Sequence, residues 1–572
     1  MYFCGVNQSM ENKPIARKLR LLSQLMELHD VNQFKARSIA NAAFKVDKLP
    51  YPAASKSFEQ LEKVEGIGKS IAAKITELLE SGTMAELQEL LDKTPDGVLE
   101  MMAIKGVGPK KVSIIWRELG IETVGELLYA CNENRLVEAK GFGLKTQEDI
   151  RNAIEFKLAA NGKFLYAQVE GAANELFHEI KDIFPEALKH FAGEFRRLNE
   201  VISELVIVIG GNDPAIALNT LTSSNLLDNI SQDTDRVTGD LHGLKVTIIC
   251  STKADYYEQL FLNTGSNEHV KAVLERMADS LEESESEEMI YKKAGLAWMP
   301  PELRENGVFI EKAADNNLPQ LIAFHDLKGA LHNHSTWSDG INTIEEMALY
   351  CRDELKLEYL GMCDHSKSAF YAKGLTIDRV LQQQEEIDHL NKTIGGFHIF
   401  KGIESDILFD GSLDYPDEIL SRFDFVVASV HSILKMDETK ATSRLVKAIE
   451  NPYTTILGHP TGRLLLTRGG YPIDYKKVID ACAANNVVIE INANPLRLDM
   501  DWRWHQYALD KGAWLSVNPD AHRKEGLLDM RYGILAARKG GLYKERCLNA
   551  LSFLEIQKFF DKKKLSRQSQ KK

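Results

Sequence analysis

The sequence predicts a multidomain protein in which an all-α region, an α+β region and a parallel α/β barrel follow one another. Apolar residues recur at helical spacing near the front of the chain, as at Ile15, Leu19 and Leu22. Stretches rich in valine and isoleucine, such as HGLKVTIICS, mark strands in the middle. From about Leu327, short apolar strands alternate with helices, which indicates parallel βα units. We expect domains over residues 10–90, 91–160, 161–325 and 326–572.

Composition narrows the functional classes. The formal net charge is -13, so any contact with nucleic acid has to be local, because a protein that coats nucleic acid is basic throughout. The seven cysteines show no CxxC spacing, which argues against a disulfide framework or a zinc ribbon and favours a reducing cytoplasm. No apolar run approaches the ~18 residues of a membrane span. We therefore expect no membrane partner and, since no heptads are present, a monomer.

A glycine turn is repeated three times in the helical region. VEGIGKSIAAKI, IKGVGPKKVSII and AKGFGLKTQEDI each place a Gly-x-Gly turn directly before a helix. The pattern resembles the helix-hairpin-helix motif, which grips the DNA backbone without reading sequence; plain helix-capping turns are the alternative. Amides at a helix N-terminus can hold a phosphate, and nearby lysines such as Lys105, Lys111 and Lys145 favour that role. The expected DNA contacts are Gly66, Gly68, Lys69, Gly106, Gly108, Lys110, Gly141 and Gly143.

The stretch LHNHSTWSDG begins a set of candidate metal ligands. Residues i and i+2 of a strand point to the same side, so His332 and His334 can share an ion, with Asp339 in reach across the turn. Later predicted strands also end in histidines or carboxylates, the ligands of manganese, iron and zinc. Most single histidines are structural, but six of the chain's fifteen fall at these strand ends. The full set is His332, His334, Asp339, His365, Glu404, His431, His459, Asp520 and His522.

These motifs resemble the PHP (polymerase and histidinol phosphatase) family. LHNHSTWSDG, CDHS, GIESDIL, SVHS, GHP and DAH occur in the family's order, between about Gly329 and Gly541. The resemblance implies a distorted (β/α)7 barrel that carries up to three metal ions and hydrolyses phosphoesters. Manganese is the first expectation for two or three ions, with zinc or iron as alternatives. In such a site all nine positions serve as catalytic metal ligands, and no separate protein nucleophile is needed.

The order of the three regions resembles bacterial family X DNA polymerases over nearly the whole chain. GEFRRLNEVISELVIVI, NTGSNEH and PPELRENG carry that likeness in the middle. The family's palm has Asp-x-Asp and a third Asp, which together hold two Mg²⁺, and a serine that helps to bind triphosphate. The corresponding positions of this chain form a degenerate site of Glu204, Val206, Thr247 and, for the serine, Glu194.

One carboxylate cannot organise two Mg²⁺ ions, because this ion demands strict geometry. We therefore predict no Mg²⁺ at the palm and a loss of polymerase activity. If the strands are aligned differently, Asp213 or Asp240 could serve instead.

The polymerase resemblance also bears on Lys74. In that family a lysine at this place in the N-terminal domain forms a Schiff base with an abasic-site sugar. Lys74 is thus a possible lyase residue, and a solvent-facing or phosphate-binding lysine is the alternative.

Together these features predict a nucleoid-associated DNA repair enzyme whose barrel trims 3′ ends or incises abasic sites. The expected partner is gapped, 3′-ended or abasic DNA. The sequence leaves three alternatives: an active polymerase X with PHP proofreading, a phosphatase for small molecules such as histidinol phosphate, and a non-catalytic DNA-binding scaffold.

Overall fold

The computed structural model describes residues 10–570 apart from 105, 138, 160–161, 278–280 and 282–283, and the side chains of 156–159 and 566–570 are likewise left undescribed. Lys105 lies outside the described residues. The chain divides into two compact units, Met1–Ile154 and Glu155–Lys572, each described by itself below. No helix of the described residues combines the length and the apolar character that a bilayer span requires.

The first unit is helical, as predicted. In α1 the residues at helical spacing, among them Ile15, Leu19 and Leu22, are fully buried, and the helix packs on α2. The described helices that begin in this unit are α1 Asn12–Leu28, α2 Gln33–Asp47, α3 Phe58–Glu62, α4 Lys69–Ser81, α5 Ala85–Asp92, α6 Asp96–Met102, α7 Pro109–Arg117, α8 Val124–Asn132 and α9 Leu144–Ala159.

The second unit begins with a mixed α/β region, again as predicted. Its five-stranded sheet has the order β2-β4-β7-β6-β5, in which only the β4–β7 pair is parallel. The interior strand β4 buries Leu205, Ile207 and Ile209 beside α10 and α12, and buries Val208 beside α13. The elements are β1 Phe164–Leu165, α10 Tyr166–Ile183, β2 Leu188–Ala192, α11 Gly193–Arg196, β3 Val201–Ile202, β4 Glu204–Gly211, α12 Pro214–Thr222, β5 Asp228–Gln232, β6 Arg236–Leu241, β7 Leu244–Thr252, α13 Tyr256–Thr264, α14 Asn267–Leu274, α15 Glu287–Lys293 and α16 Ile310–Ala314.

Within the acidic run LEESESEE, Leu281 to Glu288, the residue Glu287 departs from the exposure that the charged composition predicts. A run of this kind is expected to be solvated, yet Glu287 is only 5% exposed. Its carboxylate pairs with Arg196 at 2.6 Å and with the fully buried Arg304 at 2.5 Å. Glu287 therefore ties α15 to α11 and to the segment that leads into the barrel.

The barrel is formed by seven parallel strands in chain order, β8 to β14. A parallel bridge between Asn333 and Ala521 brings its two edges together, so the barrel is nearly closed. The predicted distorted (β/α)7 barrel is thus confirmed. The elements are β8 Gly329–Ala330, α17 Ile344–Asp353, β9 Tyr359–Met362, α18 Ile377–Thr393, β10 His398–Asp406, α19 Asp417–Leu420, β11 Phe425–Ser429, α20 Glu438–Ile449, β12 Ile456–Leu457, α21 Tyr475–Ala484, β13 Val488–Asn492, α22 His505–Asp510, β14 Leu515–Asn518, α23 Met530–Lys539 and α24 Phe553–Gln570.

Helix α24 lies at the end of the barrel where the strands begin. The backbone amide of Phe553 donates to Glu358, which directly precedes β9, at 2.9 Å. Lys564 pairs with Asp424, which directly precedes β11, at 2.7 Å. The C-terminal ends of the strands therefore open at the other end, where functional groups of such barrels are usually found.

Candidate metal centre and DNA contacts

All nine predicted ligands converge at the C-terminal ends of the barrel strands. His332, His334 and Asp339 follow β8, and His365 follows β9. Glu404 lies near the end of β10, and the other four follow β11, β12 and β14. Each of these nine side chains is at most 8% exposed.

Glu404 lies at the centre of the cluster. Its Oε1 is 3.1 Å from Nε2 of His332, 3.1 Å from Nε2 of His431 and 3.0 Å from Nε2 of His459. Its Oε2 is 2.8 Å from Nδ1 of His365 and 3.7 Å from Nε2 of His334. A single carboxylate thus faces five imidazoles, an arrangement suited to ligating more than one cation.

Two aspartates complete the arrangement on either side. Asp520 Oδ1 lies 3.1 Å from Nε2 of His334 and 3.5 Å from Nε2 of His332. Asp339 Oδ1 lies 3.5 Å from Nε2 of His365 and 3.3 Å from Nε2 of His522.

The donor geometry fits metal ions. Potential ligand atoms lie within 4.8 Å of one another in four overlapping groups: His334, Asp339, His365 and His522; His332, His334 and Glu404; His332, His459 and Asp520; and His365, Glu404 and His431. Among the described residues, such groups occur only in the barrel. Both ring nitrogens of His365 and Oε2 of Glu404 are buried without a hydrogen bond of good geometry. Buried polar atoms are normally satisfied, so these atoms are suited to binding a cation.

The histidines of the cluster differ in the direction in which their pKa is shifted. Burial opposes a charged His431, but the carboxylates of Glu404 and Asp406 outweigh it and raise the pKa of His431 to about 10. Burial, together with the neighbouring His522 and His365, lowers the pKa of His334 to about 3. The carboxylates therefore draw a proton onto His431, whereas His334 stays neutral. A divalent cation binding here would compete with the proton on His431.

Two orienting carboxylates were missed in the sequence. Glu490, buried in β13, has Oε2 2.6 Å from Nδ1 of His332, and its Oε1 accepts from the backbone amide of His459 at 3.0 Å. Asp406 Oδ1 lies 2.5 Å from Nδ1 of His431. The available signals were a glutamate inside the apolar run VVIEIN and an aspartate two residues after Glu404.

Backbone conformation also marks the cluster. His332 and Asp520 have φ values of +59° and +53°. The left-handed region is uncommon for residues other than glycine and is enriched at functional sites.

The three glycine turns of the first unit share one geometry. Gly66, Gly106 and Gly141 have φ values of +86°, +88° and +90°, a region that glycine enters without a steric penalty. The second glycine of each pair directly precedes α4, α7 or α9. A Cβ at Gly68, Gly108 or Gly143 would have no neighbour within 4 Å, so the backbone is open to a ligand at each turn.

The lysines near the turns differ in exposure. The side chain of Lys110 is 75% exposed, and Lys69 is also exposed where α4 begins. Lys74 is only 12% exposed and forms an ion pair with Glu86 on α5. Lys35 shares that carboxylate at 2.6 Å. Lys74 is thus held inside its unit by an acidic neighbour.

The carboxylates at the palm positions are already bound to neighbouring residues of the same region. Lys245 Nζ lies 2.8 Å from Oε1 of Glu204, and Thr247 donates to the same oxygen at 2.6 Å. Val206 brings no polar group and packs toward Gly193. The Glu194 carboxylate accepts from the backbone amide of Ser203 at 2.6 Å. These four positions hold two carboxylates, Glu204, which is paired with a lysine, and Glu194, which is hydrogen-bonded to Ser203.

The two aspartates that could replace the missing carboxylates, Asp213 and Asp240, are bound to other groups. Asp213 lies beyond the far end of β4 from Glu204 and caps α12, where it accepts from the amide of Ala215 at 2.9 Å. Asp240 lies on β6 beside Lys245 and accepts from Asn229 at 2.9 Å.

Comparisons with known proteins match both ends of the chain. A helix-hairpin-helix domain model matches residues 10–84, and a SAM-like helix-hairpin-helix tandem model matches residues 98–155. The DNA polymerase/3'-5' exonuclease PolX of Bacillus subtilis (strain 168) is 33% identical over 571 residues, which cover 96% of this chain and 99% of that protein.

Shorter relatives match the C-terminal region. A probable phosphatase of Caldicellulosiruptor saccharolyticus is 29% identical over 32% of this chain and 74% of its own length. A probable phosphatase of Acetivibrio thermocellus is 30% identical over 28% of this chain and 63% of its own length.

Proposed function

The chain belongs to the bacterial family X DNA polymerases that carry a PHP domain, and from this premise we propose that its barrel hydrolyses phosphodiester bonds of DNA. The activity would be removal of nucleotides from a 3′ end, incision at abasic sites, or both. The observation that carries the proposal is the convergence of nine buried histidines and carboxylates at one end of the barrel. The Bacillus relative, similar over nearly the whole chain, is itself named a 3'-5' exonuclease.

The nine ligands would hold two or three divalent ions, with manganese expected first and zinc or iron as alternatives. When bound, such ions supply an activated water and stabilise the attacking and leaving oxygens of the phosphodiester. Glu404 would bind more than one ion, since it faces five imidazoles. Glu490 and Asp406 would orient His332 and His431, so that each ring presents its other nitrogen to the cluster.

The helical unit would hold the DNA. Three open glycine turns before helices suit backbone phosphates, and the exposed Lys69 and Lys110 add positive charge. Contacts of this kind do not read sequence, which fits a substrate defined by a gap, a 3′ end or an abasic site. A phosphatase for small molecules would gain nothing from them, so the helix-hairpin-helix matches favour a DNA substrate over that alternative.

The palm would serve as a DNA-binding scaffold without nucleotidyl transfer. Glu204 is the one carboxylate at the metal-ligand positions of the family's palm. It is paired with the Lys245 ammonium and not with a metal ion. Val206 and Thr247 offer no carboxylate to a second ion. This pairing weighs against the alternative of an active polymerase with proofreading.

In the cell, we place the protein in the cytoplasm, associated with the nucleoid, as a monomer in DNA repair. The six described cysteines are buried and no disulfide joins any two of them, which suits a reducing compartment. Lyase chemistry at Lys74 stays a weaker part of the proposal, because its ammonium is already paired with Glu86. Borohydride trapping on an incised abasic duplex, with a Lys74→Ala control, decides that point.

The test of the main function is a denaturing gel. A 5′-labelled primer on a gapped template is incubated with Mn²⁺, with the wild-type protein and with His332→Ala. We expect stepwise shortening of the primer that requires His332 and is the same with or without dNTPs. An uncut primer at saturating metal would overturn the proposal, as would shortening that His332→Ala retains.

A further inference from the structure

Two loops at the ligand end of the barrel hold large apolar side chains in solvent. Phe370, five residues after His365, is 80% exposed, and Ile433, two residues after His431, is 52% exposed. Each loop therefore presents an apolar group within a few residues of a candidate ligand.

The Phe370 loop is firmly anchored at both ends. The backbone amide of Ser368 donates to Asp414 at 2.7 Å, and the amide of Leu375 donates to the carbonyl of His365 at 2.8 Å. Ala369 and Ala372, on either side of the phenylalanine, are fully buried. Phe370 is thus fixed in an exposed position by a structured loop.

The Ile433 loop is anchored too, and at a conformational cost. The buried guanidinium of Arg444 donates to the carbonyl of Ser432 at 3.0 Å and lies 3.4 Å from that of Ile433. Ile433 has a φ of +56°, which is unusual for a β-branched residue. Such backbone outliers cluster at ligand-binding sites, so this loop is a candidate contact for a substrate.

Two ring contacts link the aromatic group to the cluster. The ring of Phe370 is 6.0 Å from the ring of Tyr371, which is 6.5 Å from the imidazole of His365. Exposed cations flank the same strand ends, with Lys367 two residues after His365 and Arg523 directly after His522. Aromatic faces interleaved with cations are how proteins bind the bases and phosphates of a single nucleic acid strand.

We propose that Phe370 is a positioning residue on which a nucleobase beside the scissile phosphate stacks, with Ile433 as a further apolar contact. This inference rests on the proposed function, since it specifies what that site holds. The substrate class is then an unpaired nucleotide with its base. Such a base is free to leave its own strand and lie on a protein ring.

The experiment varies the terminal base of the substrate and the ring of Phe370 independently. Two 5′-labelled single strands are compared, one ending in an ordinary nucleotide and one ending in a tetrahydrofuran residue that lacks the base. Both are digested with Mn²⁺ by the wild-type protein, by Phe370→Ala and by the control Leu554→Ala. Leu554 is 64% exposed on α24, at the opposite end of the barrel.

We expect Phe370→Ala to raise KM for the ordinary terminus by roughly 10- to 100-fold, the range that loss of one base–aromatic stack predicts. For the baseless terminus Phe370→Ala and the wild type should have the same KM, and Leu554→Ala should behave as the wild type on both. Equal losses on both substrates, or no loss on either, would overturn the stacking role.

A binding measurement separates this inference from the hydrolytic function. A strand ending in 2-aminopurine, with a phosphorothioate at the last linkage, reports stacking by fluorescence quenching without turnover. Quenching by the wild type that Phe370→Ala loses supports the subsite even if DNA is not hydrolysed. Hydrolysis of ordinary DNA without any quenching would reject the subsite and leave the proposed function standing.

Discussion

Glu490 Oε2 lies 2.6 Å from Nδ1 of His332, so the carboxylate fixes which nitrogen of this buried ring faces the other ligands. Although burial opposes a charged imidazole, Glu490, with Glu404 and Asp520, raises the pKa of His332 well above its usual value. Loss of an orienting group of this type typically lowers metal affinity about 10- to 100-fold.

Glu490→Gln should therefore lower the affinity for metal without abolishing the site. We expect the Mn²⁺ concentration for half-maximal hydrolysis to rise about 10- to 100-fold, with most activity restored at saturating metal. A metal titration of the nuclease rate measures this. Glu438→Gln, on the exposed first turn of α20, is the control and should titrate as the wild type. An unchanged Mn²⁺ dependence in Glu490→Gln would contradict the orienting role.

Glu404→Gln should be more severe, because the side chain keeps its shape but loses the charge that five histidines face. We expect hydrolysis to fall by at least about 100-fold even in excess metal. Asp520→Ala should behave in the same way. Metal content after dialysis and a thermal melt accompany the rates, so that a lost ion is distinguished from a lost fold. Full activity in metal-saturated Glu404→Gln would reject this carboxylate as a ligand.

The second glycine turn offers a matched pair of variants. Gly106 has a φ of +88°, so Gly106→Ala should destabilise its unit by about 1 kcal/mol or more. Gly108 has an ordinary φ of -82° and open space around it, so Gly108→Ala should cost less stability than Gly106→Ala, mainly because alanine is a poorer N-cap than glycine, but should obstruct a phosphate. We expect weaker DNA binding from Gly108→Ala, measured by anisotropy at a temperature well below its melting transition. Equal DNA affinity of Gly108→Ala and the wild type would favour a capping role for the turn.

Salt dependence gives an independent test of the same surface. Lys110→Gln should lower DNA affinity similarly for all sequences and reduce the slope of log affinity against log salt by about 1. An unchanged slope would show that this lysine does not contact a phosphate.

Lys539 predicts a pH dependence of stability. Its Nζ is buried and lies 2.6 Å from Glu305 and 2.9 Å from the carbonyl of Arg197. Burial, only partly offset by Glu305, lowers the pKa of Lys539 from 10.5 to about 8. The unfolded chain therefore binds more protons between these values, and this residue makes stability rise with pH there, by at most about 1.4 kcal/mol per pH unit.

Lys539→Met should remove that contribution. Urea unfolding of the full chain at several pH values across the window, followed by tryptophan fluorescence, measures the difference in slope. Lys558→Met, at an exposed position of α24, is the control for the general effect of alkali. Parallel pH profiles for the wild type and Lys539→Met would contradict the lowered pKa.

The sequence alone predicted the order of the folds and the residues that gather at one end of the barrel, for physical reasons. His332 and His334, two residues apart directly after β8, and histidines directly after apolar runs are local patterns that the barrel then brings together. Three Gly-x-Gly turns before helices are equally local. Such features need no knowledge of distant contacts.

Contacts between distant segments were the part that could not be predicted. Glu490 lies 158 residues from His332, and nothing in the run VVIEIN indicates which segment supplies its partner. Glu287 belongs to an acidic run, and Arg196, which neutralises it, is 91 residues away. A buried charge needs a partner, but the sequence does not say which segment provides it.

The palm should not extend a primer. Glu204 is paired with Lys245 at 2.8 Å, and burial is outweighed by that pair and by the Thr247 hydroxyl, so that the pKa of Glu204 is lowered and the carboxylate stays charged beside a lysine. A charged ammonium at this place repels Mg²⁺, and no second carboxylate stands at Val206 or Thr247. We expect no band longer than the primer when His332→Ala, which should be free of nuclease activity, is given dNTPs, Mg²⁺ and a gapped duplex. Lys245→Ala in that background removes the competing ammonium and should still give no extension, because one carboxylate cannot hold two ions. Templated extension by His332→Ala would mean that carboxylates outside these positions, such as Asp240, organise the palm.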